Sequence, residues 1–138
     1  MAVGLKIDFL WYQIGIPDFL HSFFSTISYN LEESKWGSKY PILMNELYQG
    51  KLSWENANKA IKELNLIRKE LKKFSPDYVV WDIDDISKLS PWGKNISSDI
   101  TDLSNYFVTS DGRDLIDVII MALNDAICEK TDVEITNI

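Results

Sequence analysis

The stretch YVVWDIDDISKLSPWG, residues 78–93, places three carboxylates, Asp82, Asp84 and Asp85, between Trp81 and Trp92. Two carboxylates at alternate positions can hold a divalent cation or share a proton in general acid–base chemistry. Acidic side chains beside aromatic ones also make a dock for a basic protein. As a strand, the segment projects Asp82 and Asp84 from one side of the pleat, roughly 7 Å apart, with Val79, Trp81 and Ile83 on the other. Trp81 then belongs to the core, while Asp82, Asp84, Asp85 and Trp92 form a contact surface. A metal-dependent nuclease would add a lysine at a characteristic spacing. The nearest, Lys88, falls in an irregular stretch, so a divalent-metal enzyme using Asp82 and Asp84 is the alternative and not the lead.

Other catalytic chemistry fails on its motifs. The chain has no G-x-S-x-G elbow, no phosphate-binding G-x-x-x-x-G-K-[ST], no G-x-G-x-x-G, no H-E-x-x-H and no paired C-x-x-C. A thiol nucleophile would have to pair Cys128 with His21, and nothing in the sequence orients one toward the other. A lone cysteine makes no internal disulfide, which suits a reducing compartment, and a lone histidine cannot build a histidine-rich metal site. His21 flanks the apolar stripe of a helix near Ser22, Ser25 and Ser28 and reads as a solvated or partly packed imidazole. TSDGRD has the look of a calcium loop, but aligning Gly112 with the turn glycine puts Phe107, Thr109 and Val118 at ligand positions. No resident metal or cofactor is expected, and no catalytic residue.

The elements that position the acidic stretch follow from periodicity. Alternation over residues 3–13 puts Val3, Leu5, Ile7, Phe9 and Trp11 on one side of a half-buried strand. Pro17 and Asp18 suit the first turn of a helix, whose stripe is Phe19, Leu20, Phe23, Phe24, Ile27 and Leu31. EESKWGSKYP is a loop, and ILMNELYQG a short helix closed by Gly50. Ser53 caps the next helix, with Trp54, Ala57, Ile61, Leu64, Ile67, Leu71 and Phe74 at three- and four-residue steps. Its Lys69, Lys72 and Lys73 read as a solvated face complementing the helix dipole and not as a nucleic-acid site.

After Pro76, DYVVWDID has strand composition. DISKLSPWGKNISSD is irregular, with a helical turn near residues 99–104, and NYFVT is a short strand. A helix over 115–127 follows, with Ser110 or Asp111 as its cap and Asp114 in its first turn. Its apolar residues cover most of the circumference, as in a helix packed on a sheet and touched again by a neighbour. DVEITNI offers a last strand. The order gives an α+β fold, a small sheet of about four strands with helices packed mainly on one face, and YFVT–helix–VEIT as a right-handed parallel crossover.

A chain of 138 residues is the usual size of one domain, so residues 1–138 are expected to form a single unit. The net charge of −7 is uneven: residues 1–74 carry 8 acidic and 10 basic groups, residues 75–138 carry 13 and 4. An acidic half repels nucleic acid and anionic membrane and speeds encounter with a basic protein. With no basic-then-apolar leader and no long apolar run, a cytoplasmic protein is expected. A third role is a non-catalytic homodimeric adaptor that uses the helix over 115–127 as its interface.

At YPILMNELYQGKL, VVWDIDDIS, PWGKNISSDITDLSNYF and VTSDGRDL the chain resembles the bacterial immunity proteins of the immunity protein 70 family, from the first strand to the last helix. The resemblance implies an α+β inhibitor, encoded beside a polymorphic toxin, that binds the toxin's C-terminal domain and does no bond-making of its own. The family's marking tryptophan falls on Trp81, with Gly112 beside a second motif. Its two aspartates fall among Asp82, Asp84, Asp85 and Asp111. A nuclease toxin would present a basic channel to those carboxylates.

Overall fold

In the computed structural model, which describes residues 2–137, β1 (Val3–Ile7) and β2 (Leu10–Gly15) form a hairpin. The expected single strand over residues 3–13 is thus two. Asp8, left-handed at φ 54°, turns the chain with Phe9, which is 96% exposed and not part of the core. Aspartate is among the few residues that tolerate this conformation. The turn moves the inward phase from odd to even positions: Tyr12 pairs with Leu5 on the inner face and Trp11 with Lys6 on the outer one, the reverse of the expected sides. Gly4 is required where it stands: a Cβ there would lie 2.4 Å from the Trp11 ring, which closes over β1.

The sheet runs β2-β1-β4-β3, with β3 (Lys51–Leu52) and β4 (Val133–Asn137). Every pairing is antiparallel: β1 with β2, β1 with β4, and β3 with β4. The expected parallel crossover is therefore absent, because NYFVT makes only a single bridge, Val108 to Asp114, instead of a strand. The fold is α+β with four strands, as expected, but β2 and β3 replace the two strands placed at DYVVWDID and NYFVT.

Three helices build the core: α1 (Pro17–Leu31), α2 (Ala57–Leu71) and α3 (Leu115–Glu129). Pro17 opens α1 at its first position, and Leu20, Phe23, Phe24, Ile27 and Leu31 are buried as the stripe requires. Ser53 caps a short turn, Trp54–Asn56, that leads into α2, whose Ala57, Ala60, Leu64, Ile67 and Leu71 are buried. The segment before β3 is one wide helical turn, Leu43–Leu47, followed by Gly50 at φ 117°. The cap of α3 is Asp114, which accepts from the Asp117 N–H at 3.1 Å, and not Ser110 or Asp111. α3 packs between β1 and α2, burying Leu115, Ile116, Val118, Ile119, Ala122, Leu123 and Ala126. Most of its broad apolar arc is thus buried in the chain's own core, while Met121 is exposed and Ile120 and Ile127 are half-buried. No helix of the described residues is long and apolar enough to cross a membrane.

Candidate functional site

Residues 79–114 contain no helix or strand and wrap the open side of α1. A segment of this length without regular structure must satisfy its backbone by other means. For residues 78–83, α1 supplies them. Ser22, Ser25 and Thr26 lie at i, i+3 and i+4, one face of the helix, and are fully buried. The Ser22 hydroxyl donates to the Val80 carbonyl at 2.8 Å, and the Val80 N–H donates to Thr26 Oγ1 at 3.0 Å. The Ile83 N–H donates to Ser25 Oγ at 3.1 Å, and the Asn30 amide donates to the Tyr78 carbonyl at 2.9 Å.

These bonds are why DYVVWDID is not a strand: its backbone groups meet helix side chains instead of a sheet neighbour. The expected phase also inverts. Val80 is buried, whereas Val79, Trp81 and Ile83 are only half-buried. Asp82 consequently turns toward α1 with its side chain 20% exposed, while Asp84 and Asp85 stay exposed. The expected helical turn at 99–104 is replaced by side-chain-capped turns. The Ser104 N–H donates to Asp102 Oδ1 at 2.8 Å, and the Thr101 N–H donates to Asn105 Oδ1 at 3.1 Å.

Phe19, on the first turns of α1, is the centre of an aromatic cluster. Trp81 stacks on it at 6.1 Å, Trp92 meets it edge-on at 5.1 Å, and Phe107 lies at 5.3 Å. Trp81 and Trp92 are perpendicular to each other at 5.5 Å, and the Trp92 indole N–H donates to the Tyr106 hydroxyl at 2.7 Å. Aromatic pairs of this geometry contribute about 0.5–1.5 kcal/mol each beyond buried area. Both tryptophans therefore brace the loop, and Trp92 serves this packing as well as any contact. Beside them a groove of about 380 Å³ is lined by Val79, Trp81, Ile86, Leu89 and Tyr106 with Lys88 and Lys94 at its edge. Ile86 and Leu89 project into solvent, Leu89 81% exposed.

His21, expected to be solvated or partly packed, is half-buried and is the polar pivot of this arrangement. Its Nδ1 lies 2.6 Å from the Tyr48 hydroxyl, and its Nε2 lies 3.1 Å from Asp82 Oδ1. Asp82 Oδ1 also accepts the Asp84 N–H at 2.9 Å, and Lys88 Nζ lies 3.4 Å from Asp82 Oδ2. The hydrogen bond from His21, then that from the Asp84 N–H, holds the Asp82 carboxyl below the ordinary aspartate range against the opposing effect of burial. Burial, with the charges of Asp84 and Asp82 adding to it, pushes the Tyr48 phenol up. Asp85 caps its own turn, accepting the Ser87 N–H at 3.2 Å.

Among the described residues, one atom each of His21, Asp82 and Asp84 lie within 4.8 Å of one another. The two aspartates alone were expected to face a partner or a cation; the structure adds the histidine. Asp111 does not join them. It sits in the turn before α3, accepts from the Thr109 hydroxyl, and shares no hydrogen bond or ion pair with the 82–85 group among the described residues. That turn needs Gly112, at φ 83°, whose N–H donates to the Thr109 carbonyl at 2.9 Å, and it ties to β2 through the Ser110 N–H and the Ile14 carbonyl.

Periodicity could not reveal His21, Tyr48 and Lys88, since their contacts with each other and Asp82 depend on a loop path with no repeat. The polar face Ser22, Ser25 and Thr26 was a usable signal, because three small hydroxyls on one side of an apolar helix mark a place where irregular backbone docks. No curated protein and no solved structure matches the chain. The Immunity protein 70 family model does, over residues 5–135, which takes in most of the hairpin, all three helices and the whole 79–114 loop. The chain belongs to the Immunity protein 70 family.

Proposed function

We propose that the protein binds and neutralises the C-terminal domain of a cognate toxin, a basic domain of the nuclease type, through the surface of residues 82–92. Inhibition is by occupancy, without bond-making, and takes place in the cytoplasm of the toxin-producing cell. The observation that carries this reading is the pairing of exposed Asp84 and Asp85 with exposed Ile86 and Leu89 on a loop already fastened to α1. Carboxylates steer a cationic surface and set register, and the apolar side chains supply area to desolvate. Because the loop is anchored by Ser22, Ser25, Thr26 and Asn30, little of its backbone has to be ordered on binding. Trp92, braced against Phe19 and Tyr106, gives the surface a rigid edge. Asp82 acts behind this face as an anchor, and Asp111, on the separate turn tied to β2, is proposed as a second acidic contact.

Family membership supports the inhibitor role, and the excess of negative charge in residues 75–138 supports a cationic target. The test is to co-express the toxin domain encoded by the neighbouring gene with this chain and measure growth. Binding of purified partners is then followed at several salt concentrations. Asp84→Ala with Asp85→Ala is expected to weaken the complex about 10-fold, mostly through a slower on-rate at low salt, and to flatten its salt dependence. Unchanged affinity and salt dependence in the double variant would remove this surface from the interface.

A further inference from the structure

Where α1 receives the 79–92 loop, one imidazole and two carboxylates from distant parts of the chain converge. We propose that His21 Nε2, Asp82 and Asp84 form a zinc site that clips the loop to the helix, with a fourth position left to water or to a ligand from outside. The three ligand atoms lie within 4.8 Å of one another, and His21 Nε2 is already 3.1 Å from Asp82 Oδ1. Tetrahedral zinc with bonds of about 2.0–2.1 Å places its ligand atoms about 3.3 Å apart. A small rotation of exposed Asp84 therefore closes the set.

The supporting shell is present. Zinc would displace to solvent the Nε2 proton that His21 otherwise donates to Asp82, and Tyr48 Oη, 2.6 Å from His21 Nδ1, can accept the Nδ1–H, so the metal-binding tautomer keeps a hydrogen bond. The Asp84 N–H, bound to Asp82 Oδ1 at 2.9 Å, fixes that carboxylate relative to its neighbour. Lys88 lies 3.4 Å from the other oxygen, Asp82 Oδ2, and its side chain is 58% exposed, free to swing into water when a cation takes over the charge.

Ligand chemistry favours a first-row transition ion over the alkaline earths, and zinc is the one proposed. Nitrogen with carboxylate oxygen in a set of three suits zinc, whereas calcium takes six to eight oxygens and magnesium keeps an octahedral oxygen shell. The site also does not depend on the identity of any protein partner.

Calorimetric titration of the full chain with ZnCl₂ is expected to show one equivalent bound, with no comparable heat from MgCl₂ or CaCl₂. Asp84→Asn, a near-isosteric change at an exposed side chain, should weaken binding by more than about 10-fold, and Tyr48→Phe by about 10-fold through loss of the Nδ1–H acceptor. Asp85→Asn should leave binding unchanged. The midpoint of thermal unfolding should rise with ZnCl₂ in the wild type and stay flat in Asp84→Asn. X-ray absorption of the zinc-loaded protein should show nitrogen and oxygen neighbours only. Zinc held with unchanged affinity by Asp84→Asn, a sulfur neighbour pointing to Cys128, or no binding to the wild type would each overturn the site.

Discussion

His21 shows how much one side chain can organise: it joins α1, the turn that carries Tyr48, and the acidic loop through two ring nitrogens. The acidic residues themselves were legible, since three aspartates between two tryptophans stand out in any sequence. Their inequality was not. Asp82 faces inward because Val80, and not Val79, enters the core, a choice made by the hydroxyls of Ser22 and Thr26.

Two residue-scale predictions follow from local geometry. Gly112 sits at φ 83° with open space around a would-be Cβ, so Gly112→Ala meets only the backbone penalty. Urea unfolding should show a loss of about 1 kcal/mol with the fold retained.

Glu63 on α2 accepts the N–H groups of Leu43 at 2.8 Å and Ile42 at 3.2 Å, yet burial outweighs these bonds and raises its carboxyl above the ordinary range. A group whose pKa is raised on folding contributes stability that is full below its unfolded value and is lost as pH rises through the folded value. Glu63→Gln stays neutral throughout. Its stability relative to wild type should therefore improve between pH 4 and pH 7 in denaturant titrations, and a constant gap would contradict the burial of Glu63.

Among the elements, the three long helices and the last strand could be read from spacing, because each buries one stripe against a continuous core. The hairpin turn at Asp8–Phe9, the two-residue β3 and the false strand at DYVVWDID could not. Phe9 and Trp11 continue the apolar spacing of Val3, Leu5 and Ile7 although the turn has reversed which positions face inward, so the sequence pattern hides the break. The β-branched composition reports only that side chains pack, not what the backbone pairs with. The loop's order rests on α1. Thr26→Val removes the acceptor of the buried Val80 N–H and the donor to its carbonyl, which should cost about 1–3 kcal/mol. Hydrogen exchange should rise across residues 79–92 while α2 and α3 keep their protection. Uniform loss across the molecule would mean that the loop is not a separate docked unit.

On the scale of the molecule, one sheet and three helices form the scaffold, and a long irregular excursion carries the surface proposed to bind the toxin. The acidic balance of residues 75–138 was visible from composition, and the structure places exposed Asp84 and Asp85 beside Ile86 and Leu89 on that excursion. Hydrogen exchange on the purified complex with the cognate toxin domain addresses the central claim most directly. Residues 79–92 should gain protection on binding, and Asp84→Lys with Asp85→Lys should abolish both that gain and the rescue of growth. Protection confined to α2 or the β1–β2 hairpin, with residues 79–92 unchanged and the charge-reversed protein still protective, would contradict it.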